Sequence, residues 1–154
     1  MFAKVISGGQ TGVDRAALDV ARACGLAHGG WCPRGRTAED GPIPAEYPLT
    51  ETPEADHAQR TAWNVRDSDG TLVLIRGRPR GGTALTIQLA RLLSKPCLVV
   101  RLDEHPEAAA VGAWAAAHGV RVLNVAGPRE SQWPGVYAQA AAFLRELFWG
   151  SGPP

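Results

Sequence analysis

With 154 residues, 16 Lys and Arg against 15 Asp and Glu, and a net charge of +1, the chain has the size of one domain and lacks the positive excess that would hold nucleic acid. A chain of this length buries roughly 70% of its unfolded surface and folds without a disulfide or a metal. Cys24, Cys32 and Cys97 form no C-x-x-C pair, no leader precedes Lys4, and no apolar run is long enough to span a bilayer, so a reduced, cytoplasmic protein without a membrane segment is expected.

In chain order, Ala3–Ser7 reads as a short strand that breaks into Gly8-Gly9-Gln10-Thr11-Gly12. A helix follows at once, with Val13, Ala17, Leu18, Val20, Ala21 and Cys24 at helical spacing and Gly25 as its stop. Backbone N–H groups at the positive end of a helix attract anions, and glycine lets a ligand approach closely. Gln10 and Thr11 add side-chain donors, and Asp14 and Arg15 put an acid and a base on the first helical turn. The spacing is neither G-x-G-x-x-G nor a P-loop, which needs a lysine absent here. A packing-only β–α turn is the plainer alternative.

Ala27–Trp31 is the second strand candidate. Residues 32 to 68 then lose all period, and Ile43, Tyr47 and Leu49 are apolar anchors for an ordered, lid-like loop. Within it, Cys32 beside Arg34 is the best-placed nucleophile, against the plainer reading of an idle thiol. Glu39 and Asp40 are adjacent and point apart in most loops, which disfavours a paired acid and base. Thr52-Pro53-Glu54 reads as the N-cap, first-turn proline and first-turn acid of a helix running to about Arg66. Arg60 and Asn64 share a face of that helix.

Thr71–Ile75 contains the continuous apolar run Leu72-Val73-Leu74-Ile75, the mark of a strand covered on both faces. Arg76-Gly77-Arg78-Pro79-Arg80-Gly81-Gly82-Thr83 then repeats the logic of the first glycine turn, with Thr83 as N-cap or ligand contact and a helix over Thr83–Ser94. Cys97–Arg101 is the next strand, Glu107–His118 an Ala-rich helix between Pro106 and Gly119, and Arg121–Val125 the last strand. Asn124 and Arg129, in the loop that leaves it, could reach the same edge. Val136–Trp149 closes the chain as a helix, with Trp114, Trp133, Tyr137, Phe148 and Trp149 as core or interface aromatics, and residues 151–154 read as a frayed tail.

Strands alternating with helices predict an α/β fold: a doubly wound, mainly parallel sheet of about five or more strands with helices on both faces. It forms a single ligand-binding domain over residues 1–150, whose ligand sits beyond the carboxyl ends of the strands. The expected ligand is a phosphorylated small molecule. The candidate contacts are Gly8, Gly9, Gln10, Thr11, Gly12, Asp14, Arg15, Arg34, Asn64, Arg80, Gly81, Gly82, Thr83 and Asn124. No catalytic residue is assigned. His28, His57, His105 and His118 lack zinc-site spacing, so no structural metal is expected.

The stretch from Ser7 to Asp19 resembles the opening of the putative molybdenum carrier protein family. So do Gly30-Trp31-Cys32-Pro33-Arg34-Gly35-Arg36-Thr37-Ala38-Glu39-Asp40-Gly41, Ile43-Pro44 with Tyr47-Pro48-Leu49, Arg60-Thr61 with Asn64-Val65 and Asp67–Leu72, and Gly81-Gly82-Thr83 with Leu85-Thr86. The resemblance implies a Rossmann-like fold related to the lysine-decarboxylase-like phosphoribohydrolases. It also implies non-covalent holding of molybdenum cofactor (molybdopterin) by a homo-oligomer, a dimer or tetramer, with molybdoenzymes as donors or acceptors. Those hydrolases carry a Gly-Gly-x-Gly-Thr-x-x-Glu motif; here Gly82-Thr83 match the Gly-Thr and the catalytic Glu falls at Thr86. Threonine cannot do a carboxylate's work, which favours binding over cleavage. Two alternatives stay open: a nucleoside-monophosphate phosphoribohydrolase-like enzyme using Asp14, Glu39 or Asp40 instead, and a nucleotide-sensing binding protein.

Overall fold

The computed structural model describes residues 1–149; the expected frayed tail lies outside the described residues. The central sheet joins β1 (Lys4–Ile6), β2 (Ala27–Gly29), β7 (Gly70–Ile75), β8 (Cys97–Arg101) and β9 (Val122–Ala126) in the order β2-β1-β9-β7-β8. Every pairing is parallel, with Ile6 opposite Asn124 and Thr71 opposite Asn124 on the other side. All six residues of β7 are buried, as its unbroken apolar run requires.

α1 (Val13–Ala23) leads from β1 outward to β2, and α3 (Gly81–Leu92) leads from β7 outward to β8. The two crossovers run in opposite directions, and right-handed connections therefore place these helices on opposite faces. α1 packs with α5 (Val136–Trp149), which also meets α4 (Ala108–Ala117); α3 packs with α2 (His57–Arg66). The switch in direction lies over β9, and the carboxyl ends of β1, β9 and β7 open into the crevice there. The core between α1, α5 and the sheet holds Val5, Val13, Leu72, Leu74, Leu123 and Leu144, each fully or almost fully buried. Phe148 belongs to it, edge-on to Phe2 with ring centres 5.9 Å apart, whereas Trp149 is 45% exposed. No helix among the described residues is long and apolar enough to cross a membrane.

Three expectations are corrected. The strand predicted over Ala27–Trp31 ends at Gly29: Gly30 leaves the extended conformation (φ +128°), and only glycine fits there, since a Cβ would lie 2.4 Å from the Ser7 carbonyl. Trp31–Cys32 (β3) instead pairs with Thr50–Glu51 (β6) in a separate parallel ribbon. The middle helix starts at His57 and not near Thr52: Asp56 is its N-cap and accepts the Ala58 N–H, while the Thr52 hydroxyl turns to the Glu54 carbonyl. α3 begins at Gly81 with Arg80 as N-cap, so Thr83 is a buried residue of its first turn.

The expected lid-like loop is ordered by one guanidinium. Arg36 donates to the carbonyls of Ile43, Leu49, Pro44 and Tyr47 at 2.8–3.2 Å. Around it Thr37–Ala38 (β4) and Gly41–Pro42 (β5) form a short antiparallel ribbon. Two further ties fasten the loop to α1: Arg15 to Asp40, and Asp19, which accepts from both Tyr47 Oη (2.7 Å) and Tyr137 Oη (2.5 Å). Burial, reinforced by the Asp19 carboxylate, raises both phenols, Tyr137 to about 12, so both remain donors.

Candidate functional site

A cavity of about 640 Å³ opens where the strand ends, the first turn of α3 and one side of α2 converge. Its wall includes three guanidinium groups, Arg60, Arg80 and Arg129, and a single carboxylate, Asp14. His57 also lines it, and burial together with Arg60 pushes its imidazole below its usual value, towards the neutral form. A polar, predominantly cationic cavity at a topological switch point suits an anionic ligand.

Nine of the expected contacts line this cavity: Gly8, Gln10, Asp14, Asn64, Arg80, Gly81, Gly82, Thr83 and Asn124. Gly9, Thr11, Gly12, Arg15 and Arg34 do not. The two glycine turns behave differently. In the second, the N–H groups of Gly81 and Gly82 have no partner among the described residues, and both glycines are exposed. They are orphan donors of a helix N-terminus, the arrangement that binds anions.

The first turn spends much of its polarity internally. Gly12 (φ 78°, ψ −128°) opens α1 in a conformation that only glycine adopts readily. It lets the Pro128 carbonyl approach and accept the Val13 N–H at 3.2 Å. The Gln10 N–H goes to Asp14 Oδ2 (3.2 Å), the Thr11 N–H to Gln10 Oε1 (3.0 Å), and the Glu39 N–H to the same Oε1 (2.9 Å). The Thr11 hydroxyl donates to Glu39 Oε2 at 2.5 Å and accepts from the Glu130 N–H. Ser131 donates both its hydroxyl and its N–H to Glu39, and Arg129 lies 3.5 Å away. Burial opposes ionisation of Glu39, but the donors from Ser131 and Thr11 outweigh it and hold the carboxyl below its usual value. Glu39 is thus a staple between the first turn, the lid and the loop after β9.

Arg15 also works internally. Its guanidinium makes a bidentate pair with Asp40 (2.8 and 2.9 Å), and its Nε donates to the Gly9 carbonyl. Asp40 is held below its usual value, chiefly by that hydrogen bond. Glu39 and Asp40 therefore point to different partners. Arg34 is exposed outside the cavity lining, its backbone N–H bonded to the Glu54 carbonyl. Cys32 is fully buried, and burial raises its thiol, which removes it as a nucleophile. Asn64 faces the cavity but uses both ends of its amide on the Trp31 backbone, at 2.8 and 3.0 Å. Asn124, 3% exposed, donates to the Thr71 hydroxyl across the sheet at 3.3 Å.

Arg60 was legible only as a polar residue sharing a helix face with Asn64. It crosses to donate from Nη1 to the Gly8 carbonyl at 2.7 Å. Gly8 permits this, because a Cβ there would sit 2.6 Å from the same nitrogen. Ser131 and Gln132 also line the cavity and carried no pattern of their own. Asp14 is 8% exposed, and burial lifts its carboxyl to about 6 against the pull of Arg60, the Gln10 N–H and Arg15. Thr86 stands in the wall, buried, with its hydroxyl on the Gly82 carbonyl at 2.9 Å. Among the described residues no group of three or more His, Cys, Asp or Glu side chains gathers that could hold a metal ion.

The crystal structure of the protein named "Putative molybdenum carrier protein" from Syntrophus aciditrophicus SB, at 1.45 Å, superposes with a TM-score of 0.91 and 45% identity, covering 96% of this chain and 94% of that one. No curated protein matches the chain. The model of the circularly permutated YpsA SLOG family matches residues 5–148. Matched over nearly its whole length, the chain belongs to the circularly permutated YpsA SLOG family.

Proposed function

We propose that this protein is a carrier that holds molybdenum cofactor, a phosphorylated pterin, intact and without a covalent bond. The observation that carries the reading is the cavity wall, which sets Arg60, Arg80 and Arg129 and the free Gly81 and Gly82 N–H groups against one carboxylate. The phosphate lies at the α3 N-terminus, where the helix dipole and guanidinium groups act together. The metal enters as part of the cargo and is held through the pterin. The name of the Syntrophus aciditrophicus protein supports a molybdenum-related cargo.

Binding is favoured over cleavage by Thr86, whose hydroxyl is committed to the Gly82 carbonyl at the position where the resemblance puts a catalytic Glu. Purification under anaerobic conditions, with pterin fluorescence after oxidation and metal analysis, tests the reading. Stoichiometric pterin, or its uptake from a donor molybdoenzyme, is the expected result. No pterin and no uptake would overturn it.

A further inference from the structure

Arg80 and the free N–H groups of α3 mark one end of the cavity; at the other, where Arg60 meets the first glycine turn, a carboxylate stands as well. Asp14 is buried to more than nine-tenths, yet only Oδ2 has a partner, the Gln10 N–H at 3.2 Å. Oδ1 has none among the described residues, and the side chain lines the cavity. A carboxylate offers about four acceptor positions, so most of this one's capacity faces the ligand space. Gln10 stands beside it. Its Oε1 is fixed by two N–H donors, from Thr11 and Glu39, which leaves Nε2 as the free end of the amide, without a partner among the described residues. Gln10 lines the cavity too. The buried unpaired side-chain atoms among the described residues are Arg76 Nε and Trp133 Nε1, so Asp14 Oδ1 is open to the cavity, an acceptor beside a donor for a ligand to pair.

We infer that Asp14 and Gln10 form a specificity edge that reads a 2-amino-4-oxopyrimidine face, in which two neighbouring N–H donors pair with Asp14 and the ring carbonyl accepts from Gln10 Nε2. Pterins and guanine present this face; adenine presents no such pair of N–H donors. The edge explains why a carboxylate persists in a cavity otherwise built for anions: it repels a bare oxyanion and accepts from a ligand that brings donors. Burial, which lifts the carboxyl to about 6, leaves it mostly ionised and accepting at neutral pH. The inference rests on the cavity being the anion seat proposed above, and it adds the ring to the phosphate.

Calorimetric titration with sulfate, GMP and AMP, on the native chain and on Asp14→Asn, tests it. GMP is available as a stable carrier of both the phosphate and the ring face. The native chain is expected to bind GMP roughly tenfold or more tightly than AMP, the worth of a charged hydrogen-bonded pair. Asp14→Asn should erase that preference while sulfate binds as well or better, since a nearby negative charge is gone. Gln10→Glu keeps the acceptor for the Thr11 and Glu39 N–H groups and replaces the Nε2 donor, so it should reduce the preference for GMP over AMP. Equal affinity of the native chain for GMP and AMP, with Asp14→Asn lowering both, would place Asp14 on the sugar and overturn the assignment. No effect of Asp14→Asn would overturn it as well. Sulfate binding sets the two ideas apart: a native chain that binds sulfate but shows no GMP preference keeps the anion seat and loses the edge. One that binds neither loses both.

Discussion

Replacing Asp14 by asparagine removes a charge that the fold holds at a cost. The side chain is 8% exposed, and burial is the largest influence on a carboxyl displaced from 3.8 to about 6. The native state therefore binds this proton more tightly than the unfolded chain does. The stability that the proton contributes is complete below pH 3.8, falls as pH rises, and is gone above about pH 6. At about 1.4 kcal/mol for each tenfold change in proton affinity, the displacement corresponds to about 3 kcal/mol. Asparagine has nearly the same shape, keeps an oxygen for the Gln10 N–H and carries no charge at any pH. Asp14→Asn should exceed the native chain by about 2–3 kcal/mol at pH 8 and nearly match it at pH 4. At roughly 2–4 °C per kcal/mol for a domain of this size, the melting temperature rises by about 5–10 °C at pH 8. Circular dichroism melts at the two pH values measure it. A variant less stable than the native chain at pH 8, or stabilised equally at both values, would refute the reasoning. A residue that lowers stability where it stands is a common signature of a binding site.

Other outcomes follow from the same contacts. Arg15→Ala should cost about 1–3 kcal/mol in urea unfolding, since it breaks the bidentate pair with Asp40 and the bond to Gly9, and it should expose residues 33–51 to limited proteolysis. Gly8→Ala pushes a methyl group to within 2.6 Å of Arg60 Nη1. The guanidinium must swing away, so sulfate affinity is expected to fall while the circular dichroism spectrum stays native. Gly82→Ala meets no atom within 4 Å and should alter stability by less than about 1 kcal/mol; a larger loss would show that the turn is packed where the structure shows it open. Incubation of the native chain with AMP should release no adenine, because Thr86 offers no carboxylate; free base on chromatography would favour the hydrolase reading.

Local pattern determined much of this protein. The unbroken apolar run of β7, the helical spacing of α1, and the glycines after β1 and β7 each declare their element within a few residues. The alternation of these elements fixes a parallel, doubly wound sheet and the carboxyl edge at which folds of this kind hold their ligands. The free N–H groups of the second glycine turn could be read from sequence because orphan donors at a helix start are a local property.

The first glycine turn looked the same in sequence, yet only the fold decided its use. Residues 28 or more positions away, Glu39 on the lid and Glu130 and Ser131 after β9, engage Thr11 or its bonded partner. Asp40, 25 positions from Arg15, takes a guanidinium that read as a ligand contact. Arg60, 52 positions from Gly8, reaches the cavity through the space a missing Cβ leaves. The physical reason is that a donor's availability depends on every acceptor the folded chain brings near it. Spacing along the chain records which groups a segment carries, and only the tertiary structure settles which of them are left for a ligand.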